Sequence, residues 1–340
     1  MDNVTHTLTG LALSRAGLNR LCPRATLLLI LSANAPDADV VSLLGGQLKH
    51  VEIHRGYTHS LLGLPFMAVL CVLIAAALGG RKRLRSKLLW TRAFLLCCIG
   101  VASHLLLDWT NAYGIRLLLP FSADWFHSDI LGLYDPYIMA ALVFAALWPP
   151  FARLVSREIG GPATTGKGIA IFALAFFALF GCARAMLHSQ AVALLQSRLY
   201  EGQESLQAAA LPDPFSPVRW RGVVETPQTF RLISVNPLGG LLPEGGRVFY
   251  KPALKPSLES AKRTQPFAYF LYFSRFPVWS EQRTAIDRTA KTRIDLVDLR
   301  FGVPGAGSLH CIALEDSDYR ILGSWFTYGS GARLGWPDTR

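Results

Sequence analysis

The chain has 340 residues, 51% of them hydrophobic and only 17% charged. An ordinary soluble domain carries about a quarter charged residues, so a wholly soluble globule is excluded. The net charge of +11 does not gather on one soluble face, and six cysteines without a CxxC pair exclude a disulfide framework or a cysteine-based zinc site.

Residues 4–20 read as a short apolar helix ending in Arg15, Arg20 and Arg24. A second apolar run, 25–33, breaks at Asn34-Ala35-Pro36-Asp37-Ala38-Asp39. Both are too short for independent spans and are expected to pack among longer helices. The N-terminus lacks the basic stretch of a cleavable signal. Clearer spans follow at 61–79, 88–107, 136–152 and 168–186, by the length a bilayer core requires. Pro149-Pro150 is expected to close the third.

Between the first two of these spans, residues 81–87 hold five basic residues in seven (Arg81, Lys82, Arg83, Arg85, Lys87). Basic loops stay in the cytoplasm. Following the spans from that anchor places Arg153, Arg157 and Lys167 inside as well, together with the arginines at 15–24. Everything after about residue 188 is then extracytoplasmic. Basic residues at span ends are accounted for by topology alone, and no nucleic-acid partner is expected.

Residues 189–340 differ in kind. A helical stretch to about Ala210 leads into short β-rich runs punctuated by proline and glycine, at Gly222–Val235, Phe267–Phe276, Thr292–Phe301 and Leu309–Leu314. The fold class expected is an α-helical multi-pass membrane bundle over 1–188, with a C-terminal, mainly β, extracytoplasmic domain over 189–340.

Five of the eight histidines fall between His50 and His127. His104 and Asp108, four apart on a helix, share one face. His54 and His59 lie in His-Arg-Gly-Tyr-Thr-His-Ser, just before a span. Asp37 and Asp39 flank Ala38 in a proline-containing turn. In the topology above, His6, Asp37, Asp39, His54, His59, His104, Asp108 and Asp135 all reach one membrane face. Ionisable residues near a bilayer are expensive and usually functional, and mixed imidazole and carboxylate donors suit zinc first, with manganese or iron as alternatives. Each has a plainer use: the aspartates as turn or helix caps, and Asp135-Pro136 as an N-cap followed by a first-turn proline.

At these residues the sequence resembles the predicted inner-membrane, metal-dependent hydrolases of the YdjM type, whose bacterial founder is described as LexA-regulated. The matching stretches are Asp2-Asn3-Val4-Thr5-His6-Thr7-Leu8, Pro36-Asp37-Ala38-Asp39, His54-Arg55-Gly56-Tyr57-Thr58-His59-Ser60 and Ser103-His104-Leu105-Leu106-Leu107-Asp108. They continue with Tyr113-Gly114, Leu119-Pro120-Phe121-Ser122 and Asp135-Pro136. The resemblance covers residues 1 to about 140, and Ser103 stands where many relatives have threonine. It implies a bacterial inner-membrane location. It also implies metal ligation by His6, Asp37, Asp39, His54, His59, His104 and Asp108, with Asp135 at a further family position.

The expected chemistry is hydrolysis by metal-activated water. Asp39 or Asp108 would serve as general base, and Arg55 would offset charge on an anionic transition state. A site at the bilayer surface favours a lipid or lipid-linked ester or phosphoester. Two alternatives stand beside it: an ion transporter, or a non-catalytic membrane protein with a structural metal and a partner-binding β domain.

Overall fold

The computed structural model of the chain describes residues 1–80, 87–158, 160, 165–253, 255–286 and 289–329. The chain folds as two compact units. The first comprises Met1–Val41, Ile53–Ser189 and Pro212–Val218; the second comprises Ser42–Glu52, Gln190–Leu211 and Arg219–Arg340.

The helices in chain order are α1 (Asn3–Arg15), α2 (Ala25–Asn34), α3 (Gln47–Ile53), α4 (Gly63–Ala75), α5 (Lys87–Trp109), α6 (Pro136–Glu158) and α7 (Lys167–Gln196). A 3-10 stretch, Ala35–Gly45, continues from α2, and a short 3-10 turn, Tyr57–His59, precedes α4. Helix α1 starts cleanly because the Asp2 carboxylate accepts from the backbone N–H groups of Val4 and Thr5, two of the donors a helix start leaves free.

Helix α2 packs on α1, α4 and α5, and α1 packs on α6. Leu28, Leu29, Ala68, Cys71, Val72, Leu96 and Cys97 are buried where α2, α4 and α5 meet. Small residues permit these close crossings. A Cβ on Gly10 would stand 2.7 Å from Leu29 O, and one on Gly100 would overlap Ser32 Oγ.

Among the described residues, four helical stretches are long and apolar enough to cross a membrane: Ala25–Gly45, Leu89–Trp109, Pro136–Glu158 and Lys167–Gln196. A fifth is available if the pair Gln47–His59 and Gly63–Leu78, bent by 86°, counts as one. Their outer faces keep apolar side chains exposed, among them Phe66, Leu73, Leu147, Phe172 and Leu179. Residues 81–86 of the basic loop used for orientation lie outside the described residues.

Pro149-Pro150 does not end the third clear span: α6 runs through both prolines to Glu158. Two consecutive prolines deprive the carbonyls four residues earlier, Ala145 and Ala146, of their helical donors. The Arg15 guanidinium supplies them, with Nη1 donating to Ala145 O at 2.9 Å and to Ala146 O at 2.8 Å. A neighbouring side chain that re-satisfies freed carbonyls is what makes proline tolerable in such a helix.

The second unit carries two four-stranded antiparallel sheets. One has the order β1 (Gln207–Pro212), β2 (Trp220–Glu225), β3 (Thr229–Asn236), β4 (Gly240–Tyr250). The other runs β5 (Pro277–Ile286), β6 (Thr289–Asp298), β7 (Leu309–Glu315), β8 (Ile321–Tyr328). Two helices, α8 (Pro256–Lys262) and α9 (Gln265–Phe273), intervene. Helix ends at Gln196, and residues 207–212 are strand, so the helical stretch stops well short of Ala210. The run Phe267–Phe276 is mostly helix rather than strand. Pro266 suits a first turn, and Phe267, Phe270 and Phe273, three apart, are all buried on one helical face.

Candidate metal centre

The His-Arg-Gly-Tyr-Thr-His-Ser segment is a tight, heavily bonded turn in the first unit. Arg55 holds a left-handed backbone, φ 57°, uncommon for a residue with a side chain. Its N–H donates to Asp39 Oδ2 at 3.1 Å, and its C=O accepts from Arg116 N at 3.0 Å. Gly56 is required because a Cβ there would stand 2.7 Å from Ile53 O and 2.8 Å from the Arg116 guanidinium. Ser60 closes the turn, donating to Tyr57 O and accepting from Gly63 N, both at 2.9 Å. The turn thereby fixes His54 and His59 just ahead of α4.

Four donor atoms converge from remote parts of the sequence. His59 Nε2 and His104 Nε2 are 3.1 Å apart. Asp37 Oδ1 lies 3.4 Å from the first and 3.6 Å from the second. Asp108 Oδ2 lies 3.5 Å and 3.4 Å from the same two atoms. His59, His104 and Asp108 are fully or almost fully buried.

Hydrogen bonds on the far side of each ring decide which nitrogen carries the proton. His104 Nδ1 sits 2.8 Å from Ala33 O. A carbonyl only accepts, so Nδ1 carries the hydrogen and Nε2 of the neutral ring presents a lone pair. His59 Nδ1 faces Thr58 Oγ1 at 3.0 Å and Asp39 Oδ2 at 3.5 Å, and Thr58 itself donates to that Asp39 oxygen at 3.1 Å. The His59 Nδ1 hydrogen is oriented there, leaving a second Nε2 lone pair aimed at the first. Two lone pairs and two carboxylate oxygens then face one another with no hydrogen between them, an arrangement that a cation resolves. Among the described residues, Asp108 Oδ2 has no hydrogen-bond partner. Donors about 2.0–2.1 Å from one zinc ion are roughly 3.3 Å apart at tetrahedral angles, and the separations of 3.1–3.6 Å match that edge. The residues fit a divalent ion.

The other carboxylate oxygen of Asp108 is held from outside. Arg55 Nη2 lies 3.2 Å from Oδ1, the Met1 backbone nitrogen also contacts it, and His6 Nε2 is 3.4 Å away. Arg55 Nη1 donates to Asn111 Oδ1 at 3.0 Å and to Gly114 O at 3.2 Å, and its guanidinium lies 4.6 Å over the Tyr113 ring. Arg55 is thus aimed at Asp108 rather than into open space. Asn111 was not singled out in the sequence; its signal was its place three residues beyond Asp108, ahead of Tyr113-Gly114. Thr58 lay within the noted motif without an assigned role.

A second set of donors adjoins the first: Asp37, Asp39 and His54 each offer an atom within 4.8 Å of the others. His54 Nδ1 is 2.9 Å from Asp39 Oδ1. His6 belongs to neither set; its ring stacks on His104, with centroids 3.8 Å apart, and among the described residues its buried nitrogens make no hydrogen bond beyond the 3.4 Å approach of Nε2 to Asp108. Asp135 is placed elsewhere, as the cap of α6: Oδ1 accepts from Tyr137 N and Ile138 N, both at 3.1 Å.

A family model described as YdjM inner membrane protein matches residues 1–191. The chain is 30% identical over 159 residues to the uncharacterized protein YfhP of Bacillus subtilis, covering 44% of this chain and 46% of that protein. It is 35% identical over 127 residues to the inner membrane protein YbcI of Escherichia coli, covering 36% of this chain and 69% of that protein. The chain thus spans less than half the length of YfhP. No solved structure matches it. The chain belongs to the YdjM inner membrane protein family.

Proposed function

We propose that this member of the YdjM family is a membrane-embedded, metal-dependent hydrolase acting on a lipid or lipid-linked ester or phosphoester. The observation that carries the reading is the convergence of two Nε2 lone pairs and two carboxylate oxygens, with both ring orientations set from outside. When bound, a divalent ion supplies Lewis acidity, activating water near neutral pH and polarising an ester or phosphoryl group. His59, His104, Asp37 and Asp108 hold it. Zinc is the first choice, with manganese or iron compatible with the same donors. Arg55 and Asn111 keep Asp108 in register, as outer partners of metal ligands do. Asp39, hydrogen-bonded to the turn, orients His59.

The lipid assignment is supported by the apolar exposed side chains around the turn and the neighbouring loop, including Tyr57, Leu61, Leu62 and Phe121. Helices α2, α5, α6 and α7 lie within the candidate crossings, and charge asymmetry favours the site and the β-rich unit on the extracytoplasmic side. One observation favours a second reading: four protein donors around one ion resemble a closed, structural site.

The test is metal analysis by mass spectrometry on the full chain in detergent, after chelation and reloading with zinc, manganese or iron. Hydrolysis of lipid esters and phosphoesters in mixed micelles is measured alongside. Wild type should load and turn over, while His59→Ala and His104→Ala should lose both with an unchanged size-exclusion profile. Loading without turnover on any substrate supports the structural reading. A folded wild type that takes up no ion refutes both.

A further inference from the structure

Asp37 occurs in both donor sets. Its Oδ1 faces His59 and His104, while among the described residues its Oδ2 makes no hydrogen bond or ion pair. A carboxylate that offers a donor atom both to a cation-shaped gap between two imidazoles and to a second imidazole and carboxylate is placed to bridge. We propose that the centre holds two divalent ions, with Asp37 joining them. The first sits among His59, His104, Asp37 and Asp108. The second sits among Asp37, Asp39 and His54. The inference rests on the metal reading above and deepens it.

The second set differs from the first in ways that bear on chemistry. It offers three protein donors rather than four, so an ion there keeps coordination positions open, as catalytic sites do. The His54 side chain is 20% exposed, whereas those of His59 and His104 are fully buried. The 2.9 Å separation of His54 Nδ1 and Asp39 Oδ1 is a hydrogen bond without an ion. It is also an ordinary edge between two donors sharing one. Asp39 Oδ2 is fastened by Arg55 N and Thr58 Oγ1, while its Oδ1 faces the His54 ring. The four-donor set then anchors the centre, and the three-donor set meets an incoming ligand. The closed appearance of the first set no longer argues against catalysis.

The experiment is manganese loading of the chelator-stripped full chain in detergent, read by mass spectrometry and by electron paramagnetic resonance. Wild type should bind about two manganese ions per chain and give the broadened multiplet of an exchange-coupled pair. His54→Ala and Asp39→Asn should each retain about one, with the simple hyperfine pattern of an isolated ion. Two ions without coupling in wild type would overturn the bridge. One ion per chain in wild type, unchanged in His54→Ala and lost in His104→Ala, would overturn the second site while leaving the first intact. No manganese in folded wild type, with zinc and iron also failing to load, removes the metal reading itself. The coupling signal is measured on wild type, so the result does not depend on either variant folding.

Discussion

Arg15 is expected to be worth more to this protein than its position at a helix end suggests. Its Nη1 donates to both carbonyls that Pro149 and Pro150 leave without helical donors. Ala145 is buried, and an unsatisfied buried acceptor costs about 1–3 kcal/mol, with hydrogen bonds from charged donors at the upper end. Arg15→Met keeps the aliphatic stem and removes both donors, so it should destabilise the first unit by about 2–4 kcal/mol. Replacing both prolines by alanine restores N–H groups at 149 and 150, whose helical acceptors are those same two carbonyls. In that background Arg15→Met should cost about 2 kcal/mol less, a coupling of the size found between residues in direct contact. Unfolding in detergent micelles, followed by circular dichroism for the wild type, the two single changes and the combination, gives the cycle. A coupling below about 0.5 kcal/mol, the usual scatter for independent sites, would refute the view that Arg15 stands in for the missing backbone donors.

Arg55→Met should lower metal affinity by about 10–100-fold, the usual effect of losing an outer partner of a ligand, measured by competition with a chromogenic chelator; unchanged affinity would show that Asp108 needs no orienting. Asp135→Ala should cost about 1 kcal/mol through the lost cap of α6 and leave metal content unchanged, so loss of metal would return Asp135 to the centre. In the second unit, Asp298 is buried against Arg300, whose Nε lies 2.8 Å from Oδ2, and Arg275 N and Arg300 N donate to it. Burial alone would raise this carboxyl, but the guanidinium and the backbone donors outweigh it and hold it below the ordinary range. A carboxyl depressed on folding contributes stability at neutral pH that is lost as pH falls below its unfolded value of about 3.9. Asp298→Asn should therefore cost about 3–5 kcal/mol at pH 7 by stranding Arg300 and flatten the acid dependence of melting. An equally steep acid transition in the variant would place the sensitivity elsewhere.

The parts of the fold that were legible in the sequence are those written in a local pattern. Long charge-poor runs became α5, α6 and α7 because length and composition carry that signal directly. His104 and Asp108 shared a face because the helical period places them there. What was not legible depended on partners remote in sequence. Nothing near Pro149 announces that Arg15 supplies its missing donors, so a helix end was the natural expectation. Phe267, Phe270 and Phe273 are as compatible with a strand by composition as with a helix, and only the buried face beneath them decides. Asp135 reads most simply as a cap from one chain alone, with a ligand role beside it; its hydrogen bonds to Tyr137 and Ile138 account for it as a cap. Arg55 was expected to offset charge on an anionic transition state; its contacts to Asp108, Asn111 and Gly114 were not legible from the chain alone.

The Pro-Asp-Ala-Asp segment links these scales. Helix α2 gives way at Asn34 to a 3-10 stretch of 11 residues, longer than such runs usually persist. In the 3-10 pattern the donor to Ala33 O would be the N–H of residue 36, and residue 36 is proline, which has none. Residue 36 thus offers Ala33 O no donor, and His104 Nδ1 donates to that carbonyl at 2.8 Å. Gly100, one turn before His104, lets α5 come close enough to α2 for that contact, since any Cβ there would overlap Ser32. The same proline-initiated stretch then delivers Asp37 to His59 and His104, and Asp39 to His54 and His59. Pro36 thus acts twice, offering no donor to the carbonyl that fixes the His104 tautomer and starting the turn that carries two carboxylates to the rings. Because the donors come from segments more than 60 residues apart in sequence, the centre exists only once α2, α4 and α5 have packed, and any ion it binds stabilises that packing by linkage.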